Sequence, residues 1–444
     1  MNATRSSSRA RSEALDIDEL GSASRLSVAR RPALVLNEVV ITGVGAILPN
    51  CDTREALWRQ LHEGESQLDI ELDPVDQIAC PIGRVRSFDC ARYLEDIKPE
   101  HYQACHREQQ FYLASLVSAC RDAGLSLSEL KSSKSGLFDG SSRGAIAALL
   151  ELSSQPNRRL TLREFNLQTL PGQAVGIAAA ILGVKGPTYT FNGTCASGAI
   201  AIGNAFRELQ AGRINVALGT GHDAALVPPL FQVYRDAQLM SREATDPRSA
   251  IKPYSGNSAN AFGEGAVTLV METRQHAERR GAEILAEVVG FRHGNGGEHP
   301  TDVDFTGERP AQLIQDVLEE AELAADAIDF VIGHGNGVAV SDISELNYMK
   351  RTFGRRTREV PLISTKPIYG HTLGASSALN LAAAALMLRH NYVIPTVGVD
   401  ESRVVHGFNH QANRGKAKAL RTGLVVSYGI GGQNVVLALR RVSP

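Results

Sequence analysis

The chain has 444 residues, enough for two or three domains or one large fused α/β unit, and its 43% hydrophobic and 21% charged content is that of a globular protein with a sizeable core. Lys and Arg total 46 against 48 Asp and Glu, a formal charge of -2, so no overall field attracts nucleic acid or an anionic membrane, and any partner has to be recognised through local patches. The six cysteines (Cys51, Cys80, Cys90, Cys105, Cys120 and Cys195) never form a C-x-x-C pair, which argues against a zinc site and a disulfide scaffold and favours a reducing compartment, the cytoplasm; no run reaches the roughly 18 apolar residues of a membrane span.

Residues 1–37, rich in Ser, Arg and Ala and without apolar periodicity, read as a flexible leader; Glu13, Asp16, Asp18 and Glu19 argue against an organelle transit peptide. From Glu38, VVITGVGAI reads as a buried β-branched strand with a glycine exit. REQQFYLASLVSACRDAGL carries apolar residues at helical spacing, and INVALGTGHDAAL and GAVTLVME are short apolar runs ended by turns or charges. A second half starts near Gly281 and repeats the order: ILAEVVGF as a strand, PAQLIQDVLEEAELAA as an amphipathic helix and IDFVIGHG as a strand entering a glycine turn. The alternation predicts α/β layering in two halves, 38–280 and 281–444. The halves correspond best at two glycine-flanked loops, each leading into a nearly wholly apolar helix: NGTCASGAIAIGNAFREL and YGHTLGASSALNLAAAALML. A helix apolar on all sides belongs in a core, and a pseudo-two-fold between the halves would bring the two loops together at the centre.

Those loops hold the candidate chemistry. Cys195 lies between the strand-like PTYTF and a helix start, where unsatisfied N–H groups and the dipole favour a thiolate, and the small Gly193, Ala196, Ser197 and Gly198 leave room for a substrate. His334 stands between glycines at the end of an apolar strand, and His371 just before the second apolar helix; two imidazoles beside a thiolate suit carbonyl polarisation or stabilisation of an enolate. The loop SYGIGGQN, with glycines at 429, 431 and 432, permits the close backbone approach that half of an oxyanion hole requires. There is no G-x-x-x-x-G-K-[ST] phosphate loop, no proper strand-bound dinucleotide fingerprint and no metal motif, so nucleotide binding has little support.

From about Val39 to the C-terminus these pieces resemble the β-ketoacyl synthases of the thiolase-fold superfamily: VVITGVGAILPN, GPTYTFNGTCASGAIAIGNAFREL, GEGAVTLVMETRQHAERRGAEILAEVVGF, HGNGVAVSDISE, STKPIYGHTLGAS and SYGIGGQN occur in family order. The resemblance implies a duplicated five-layered α-β-α-β-α architecture. Cys195 would accept an acyl group, the N–H groups of Cys195 and Ile430 would form the oxyanion hole, and His334 and His371 would hold a malonyl-type extender as it loses carbon dioxide. Lys366 matches the family lysine before the second histidine, and Glu345 the acid that pairs with it, the two orienting the histidines. Ile430, Asn336, Val338, Gly431 and Asn434 fall at substrate-facing places. The implied reaction is ping-pong and requires no dissociable cofactor, with an acyl carrier protein as partner and a homodimer, or a heterodimer with a related subunit, as the assembly.

The sequence also departs from the pattern. Gly335, Asn336, Gly337 and Val338 replace the usual G-T-G-T, Ile430 replaces an aromatic gate, Gln433 replaces a threonine, and KPYSGNSANAFGEGA replaces an Asp- and Arg-containing stretch. These changes suggest a specialised synthase of secondary metabolism, such as a type II polyketide ketosynthase. They also keep two further readings open, an acyltransferase acting on an alcohol or amine and a noncatalytic partner subunit.

Overall fold

The computed structural model describes residues 36–442, except 96, 156, 256–258, 298 and 302. The expected leader therefore lies outside the described residues apart from Leu36 and Asn37, and the Asn37 N–H already bonds the Gln210 carbonyl at 2.9 Å.

The β-branched run after Glu38 forms β1 (Val39–Ile47), buried along its whole length. It belongs to a ten-stranded sheet with β2 (Ser135–Ser141), β3 (Thr188–Phe191), β4 (Val216–Asp223), β5 (Gly265–Thr273), β6 (Ala286–Asn295), β7 (Phe330–Ile332), β8 (Leu362–Ile363), β9 (Thr422–Gly429) and β10 (Gln433–Arg440), in the order β8-β7-β9-β10-β6-β1-β5-β4-β2-β3. The duplication suspected from the sequence is visible in this order. In the first half β2 pairs in parallel with β3 and β4, after which β4–β5 and β5–β1 are antiparallel. In the second half β7 pairs in parallel with β8 and β9, after which β9–β10 and β10–β6 are antiparallel. The halves meet along β1 and β6 through the pairs Val39↔Val288, Val40↔Glu287 and Ile41↔Ala286.

Layering follows from which helices are apolar all round. Outer helices α1 (Arg107–Asp122) and α2 (Gln173–Leu182) cover the first half, α1 lying on β1, β5 and β4, and α5 (Glu308–Glu320) covers β6 and β10 of the second, with α6 (Ala339–Phe353) beside it. Between the halves run α3 (Ser197–Gln210) and α7 (Gly374–His390); α3 touches β2 and β4 as well as β6 and β10, and α7 touches β9 as well as β4 and β5. Every α7 residue from Gly374 to Leu388 is buried, and its polar side chains Ser376, Ser377 and Asn380 each have a hydrogen-bond partner. The two helices cross closely: the Ala199 N–H donates to Ser377 Oγ at 2.9 Å, and a Cβ on Gly198 would lie 2.7 Å from the Gly374 carbonyl oxygen. This is the five-layered thiolase fold, and the crossing sets the start of each central helix, with its preceding loop, side by side. One further helix, α4 (Pro228–Asp236), follows β4, and its Leu230 and Phe231 cluster with Phe262 and Leu373.

Candidate active site

β3 leaves the sheet through Asn192 and Gly193 into a tight turn, Thr194–Ala196, and α3 begins at Ser197. Thr194 has φ 53, a conformation that is costly for a β-branched residue and persists only where the surroundings fix it. Here they do: the Asn192 side chain accepts from the Thr194 N–H at 3.2 Å, Ser197 Oγ accepts from the Gly193 N–H at 3.0 Å, and Thr194 Oγ1 donates to the Ile430 carbonyl at 3.4 Å. The Ile430 contact draws in the β9–β10 hairpin, whose turn carries Gly431 and Gly432 at φ 84 and 73. Gly429 is the hinge of the approach, because a Cβ there would stand 2.2 Å from Thr194 Oγ1 and 2.3 Å from the Gly193 carbonyl oxygen. The backbone on both sides of Cys195 is thereby held against the hairpin.

The second half supplies the imidazoles. His334 follows β7, His371 precedes α7, and their rings meet edge to face with centroids 5.2 Å apart. His371 Nδ1 accepts from the Leu373 N–H at 3.3 Å and meets Ser376 Oγ at 2.9 Å, so the ring proton sits on Nε2. Cys195, His334 and His371 all line one cavity of about 690 Å³. Burial first, then the nearby Lys366 charge, holds both histidines well below the ordinary imidazole range, which keeps them neutral.

Behind the cavity wall, Lys366 and Glu345 grip the two peptides that flank His334. The Lys366 ammonium donates to the His334 carbonyl, while the Glu345 carboxylate accepts from the His334 N–H at 2.9 Å and the Gly335 N–H at 2.5 Å. The Tyr254 and Tyr348 hydroxyls reach the same carboxylate, each at 3.3 Å. Gly333 has to be glycine, because a Cβ would lie 1.9 Å from Glu345 Oε2. Burial lowers Lys366 and raises Glu345 from their usual ranges, and each charge partly offsets the shift of the other.

The models of the β-ketoacyl synthase N-terminal and C-terminal domains match residues 36–277 and 285–400. The chain belongs to the β-ketoacyl synthase family. It is 28% identical over 413 residues to a 3-oxoacyl-[acyl-carrier-protein] synthase 2 of Synechocystis, covering 91% of this chain and 98% of that one. A β-ketoacyl synthase structure from Burkholderia phymatum superposes with a TM-score of 0.83 at 27% identity, over 92% of this chain and all of the other. A type II polyketide synthase acyl-carrier protein in complex with its ketosynthase bound to the hexaketide gives 0.82 at 24% identity, over 92% and 100%, a likeness of fold.

Of the residues singled out in this β-ketoacyl synthase from its sequence, Cys195, His334, His371, Asn336, Val338 and Ile430 line the cavity, and Lys366 and Glu345 support its wall. Gly431 and Asn434 do not line it: the Gly431 carbonyl accepts from Asn295 Nδ2 at 2.6 Å, and Asn434 Nδ2 donates to the Gly432 carbonyl at 2.8 Å, so both stabilise the hairpin itself. The expected thiolate is corrected. Burial pushes the Cys195 thiol up to about 11 against the pull of Lys366 and Arg143, because one helix start compensates less than the lost hydration. Sequence reading missed Arg143, Tyr234, Asn260 and Ser341 on the cavity wall. It also missed Tyr254, which carries the atypical KPYSG segment under Glu345; that departure from the family pattern was the one available signal.

Proposed function

We propose that this β-ketoacyl synthase takes an acyl group from an acyl carrier protein onto Cys195 and condenses it with a malonyl-type extender. The observation that carries the reading is a thiol and two neutral imidazoles on the wall of one apolar cavity, held by paired loops from the two halves. In the first step Cys195 sulfur attacks the acyl thioester, the carrier thiol leaves with the proton, and the oxyanion faces the N–H groups of Cys195 and Ile430. In the second, the extender loses carbon dioxide, its α-carbon bonds to the Cys195-bound carbonyl carbon as the C–S bond breaks, and the released sulfur takes a proton from solvent to restore the thiol. His371, protonated on Nε2, donates to the extender carbonyl as negative charge grows there, and His334 stands beside it. Asn336, Ser341 and Asn260 provide polar groups where the family threonines are absent; Asn260 Oδ1 is buried without a hydrogen-bond partner.

The assembly we propose is a dimer, with itself or a related subunit, across the free edge of β3. Thr188, Tyr189 and Thr190 are exposed there, and Leu162, 77% exposed, and the half-exposed Phe165 and Leu170 precede α2 on that flank. The six free cysteines favour a reducing cytoplasm. Acyl-loaded and malonyl-loaded carrier protein are to be supplied together, and the products are carbon dioxide and a chain two carbons longer. A Cys195 adduct formed without either product would instead favour transfer of the acyl group to oxygen or nitrogen; no adduct at all would favour a noncatalytic subunit.

A further inference from the structure

The cavity contains a cation that the condensation reaction does not use. Arg143 lies in the loop after β2 and lines the cavity with Cys195. Its backbone is fixed by Asp223, a fully buried carboxylate that accepts from the N–H groups of Ser142 at 3.0 Å, Arg143 at 2.9 Å and Gly374 at 2.6 Å, and from Ser141 Oγ at 3.0 Å. These four donors occupy the Asp223 carboxylate, and the Arg143 side chain lines the cavity. Its polar neighbour there is the Tyr234 hydroxyl. Nε is buried without a hydrogen-bond partner, and none of the ion pairs among the described residues involves Arg143.

The cavity wall is mainly apolar, with Val233, Ala237, Leu239, Val303, Phe305 and Ile430, and its other polar side chains, such as Asn260, Asn336 and Ser341, are neutral. A half-buried guanidinium without a counter-ion in such a wall is unfavourable, and an incoming carboxylate, which matches its planar fork of donors, removes that cost. The extender's own carboxylate is a poor candidate, because an ion pair to the group that must leave as carbon dioxide stabilises the ground state and slows the reaction. The anion has to belong to the acyl chain.

We propose that Arg143 is a specificity-determining residue that binds a carboxylate at the far end of the acyl group on Cys195, so that this synthase takes the half-thioesters of dicarboxylic acids in preference to plain alkyl thioesters. The inference rests on the proposed acylation of Cys195. Arg143 and Cys195 line one cavity of about 690 Å³, so both ends of a short diacid can be held within it.

The test compares chains of equal length. Succinyl- against butyryl-carrier protein and adipoyl- against hexanoyl-carrier protein are offered to the full-length protein and to Arg143→Met and Arg143→Lys, with the Cys195 adduct followed by intact-mass measurement. The carboxy-ended member is expected to load roughly tenfold faster in at least one pair, equivalent to about 1.4 kcal/mol. That preference reverses in Arg143→Met and survives in Arg143→Lys. Faster loading of the alkyl member in both pairs, or a ratio unmoved by Arg143→Met, overturns the proposal.

Alkylation of Cys195 by iodoacetate and iodoacetamide at one pH provides a second measurement that needs no carrier protein, since the thiolate fraction cancels in the ratio of rates. The ratio is expected to fall roughly tenfold in Arg143→Met. An unchanged ratio overturns the anion site even if condensation is observed. A shifted ratio with no acylation from any carrier thioester supports the anion site and removes the condensing function instead.

Discussion

Glu345→Gln separates the two halves of the proposed reaction. The carboxylate accepts from the His334 and Gly335 N–H groups at 2.9 and 2.5 Å and offsets the buried Lys366 charge. An amide keeps one acceptor and turns its NH2 toward the other backbone donor, leaving one buried N–H unsatisfied at about 1–3 kcal/mol. Removing one partner of a buried pair costs about 3–5 kcal/mol when the other must stay charged. Burial has already lowered Lys366, so it can lose its proton instead, and the combined loss is expected to be about 2–4 kcal/mol. The freed peptide carries His334, and misplacement of a reacting group by about 1 Å costs roughly 100-fold in rate. Malonyl decarboxylation should therefore fall about 100-fold, while Cys195, held by a different loop, still acylates within a few-fold of the parent. Carbon dioxide release and intact mass measure the two rates on the same sample. Decarboxylation at the parental rate, or equal loss of both steps, would refute the claim that Glu345 works by fixing the His334 peptide.

Burial places the Cys195 thiol at about 11, above its ordinary value, so the thiolate fraction grows as pH rises; the log rate of iodoacetamide alkylation should climb with a slope of about one through pH 9. A plateau near pH 7 would show a thiolate already formed at rest. Ile430→Phe adds an aromatic ring to the cavity wall beside the nucleophile turn and is expected to slow loading of long acyl chains relative to short ones; an unchanged chain-length profile speaks against Ile430 as part of the acyl entrance. Thr188→Pro removes a backbone donor from the open edge of β3, the Tyr189 N–H being turned toward β2, and should convert a dimer to monomers in size-exclusion chromatography with light scattering. A dimer that persists unaltered places the interface elsewhere.

The periodic parts of the fold were legible because each is written locally. The run after Glu38 became β1 at Val39–Ile47, and the two nearly wholly apolar helices became α3, buried on most sides, and α7, buried from Gly374 to Leu388. One boundary moved: the helix read across 310–325 starts at Glu308 and ends at Glu320, where Glu322 at φ 53 turns the chain out of the helix. The nucleophile and both histidines were legible for a related reason, since each sits at the glycine-marked end of a regular element. What the sequence left hidden are side chains whose meaning depends on a distant neighbour. Tyr254 is an unremarkable tyrosine until the fold puts its hydroxyl 3.3 Å from Glu345, 91 positions away. Cys195 was read as a thiolate because its helix start is local, whereas the burial that outweighs it is supplied by the whole cavity.

Arg143 shows the same limit in its strongest form. Along the chain it is one basic residue in FDGSSRGA, the sort of charge a loop ordinarily presents to water. Its direction is set by Asp223, 80 positions later at the end of β4, and by Gly374 at the start of α7, which share that carboxylate. The nucleophile loop's neighbour, the histidine loop and the cavity's one unpaired guanidinium among the described residues are thus fixed by a single buried aspartate at the join of the two halves. Loss of that carboxylate, as in Asp223→Ala, should leave three backbone N–H groups without their acceptor and disturb Arg143 and His371 together. Substitutions at either residue alone should disturb only one of them. Duplication brought the two loops face to face, and the specificity of the site then rests on contacts that only the assembled halves create.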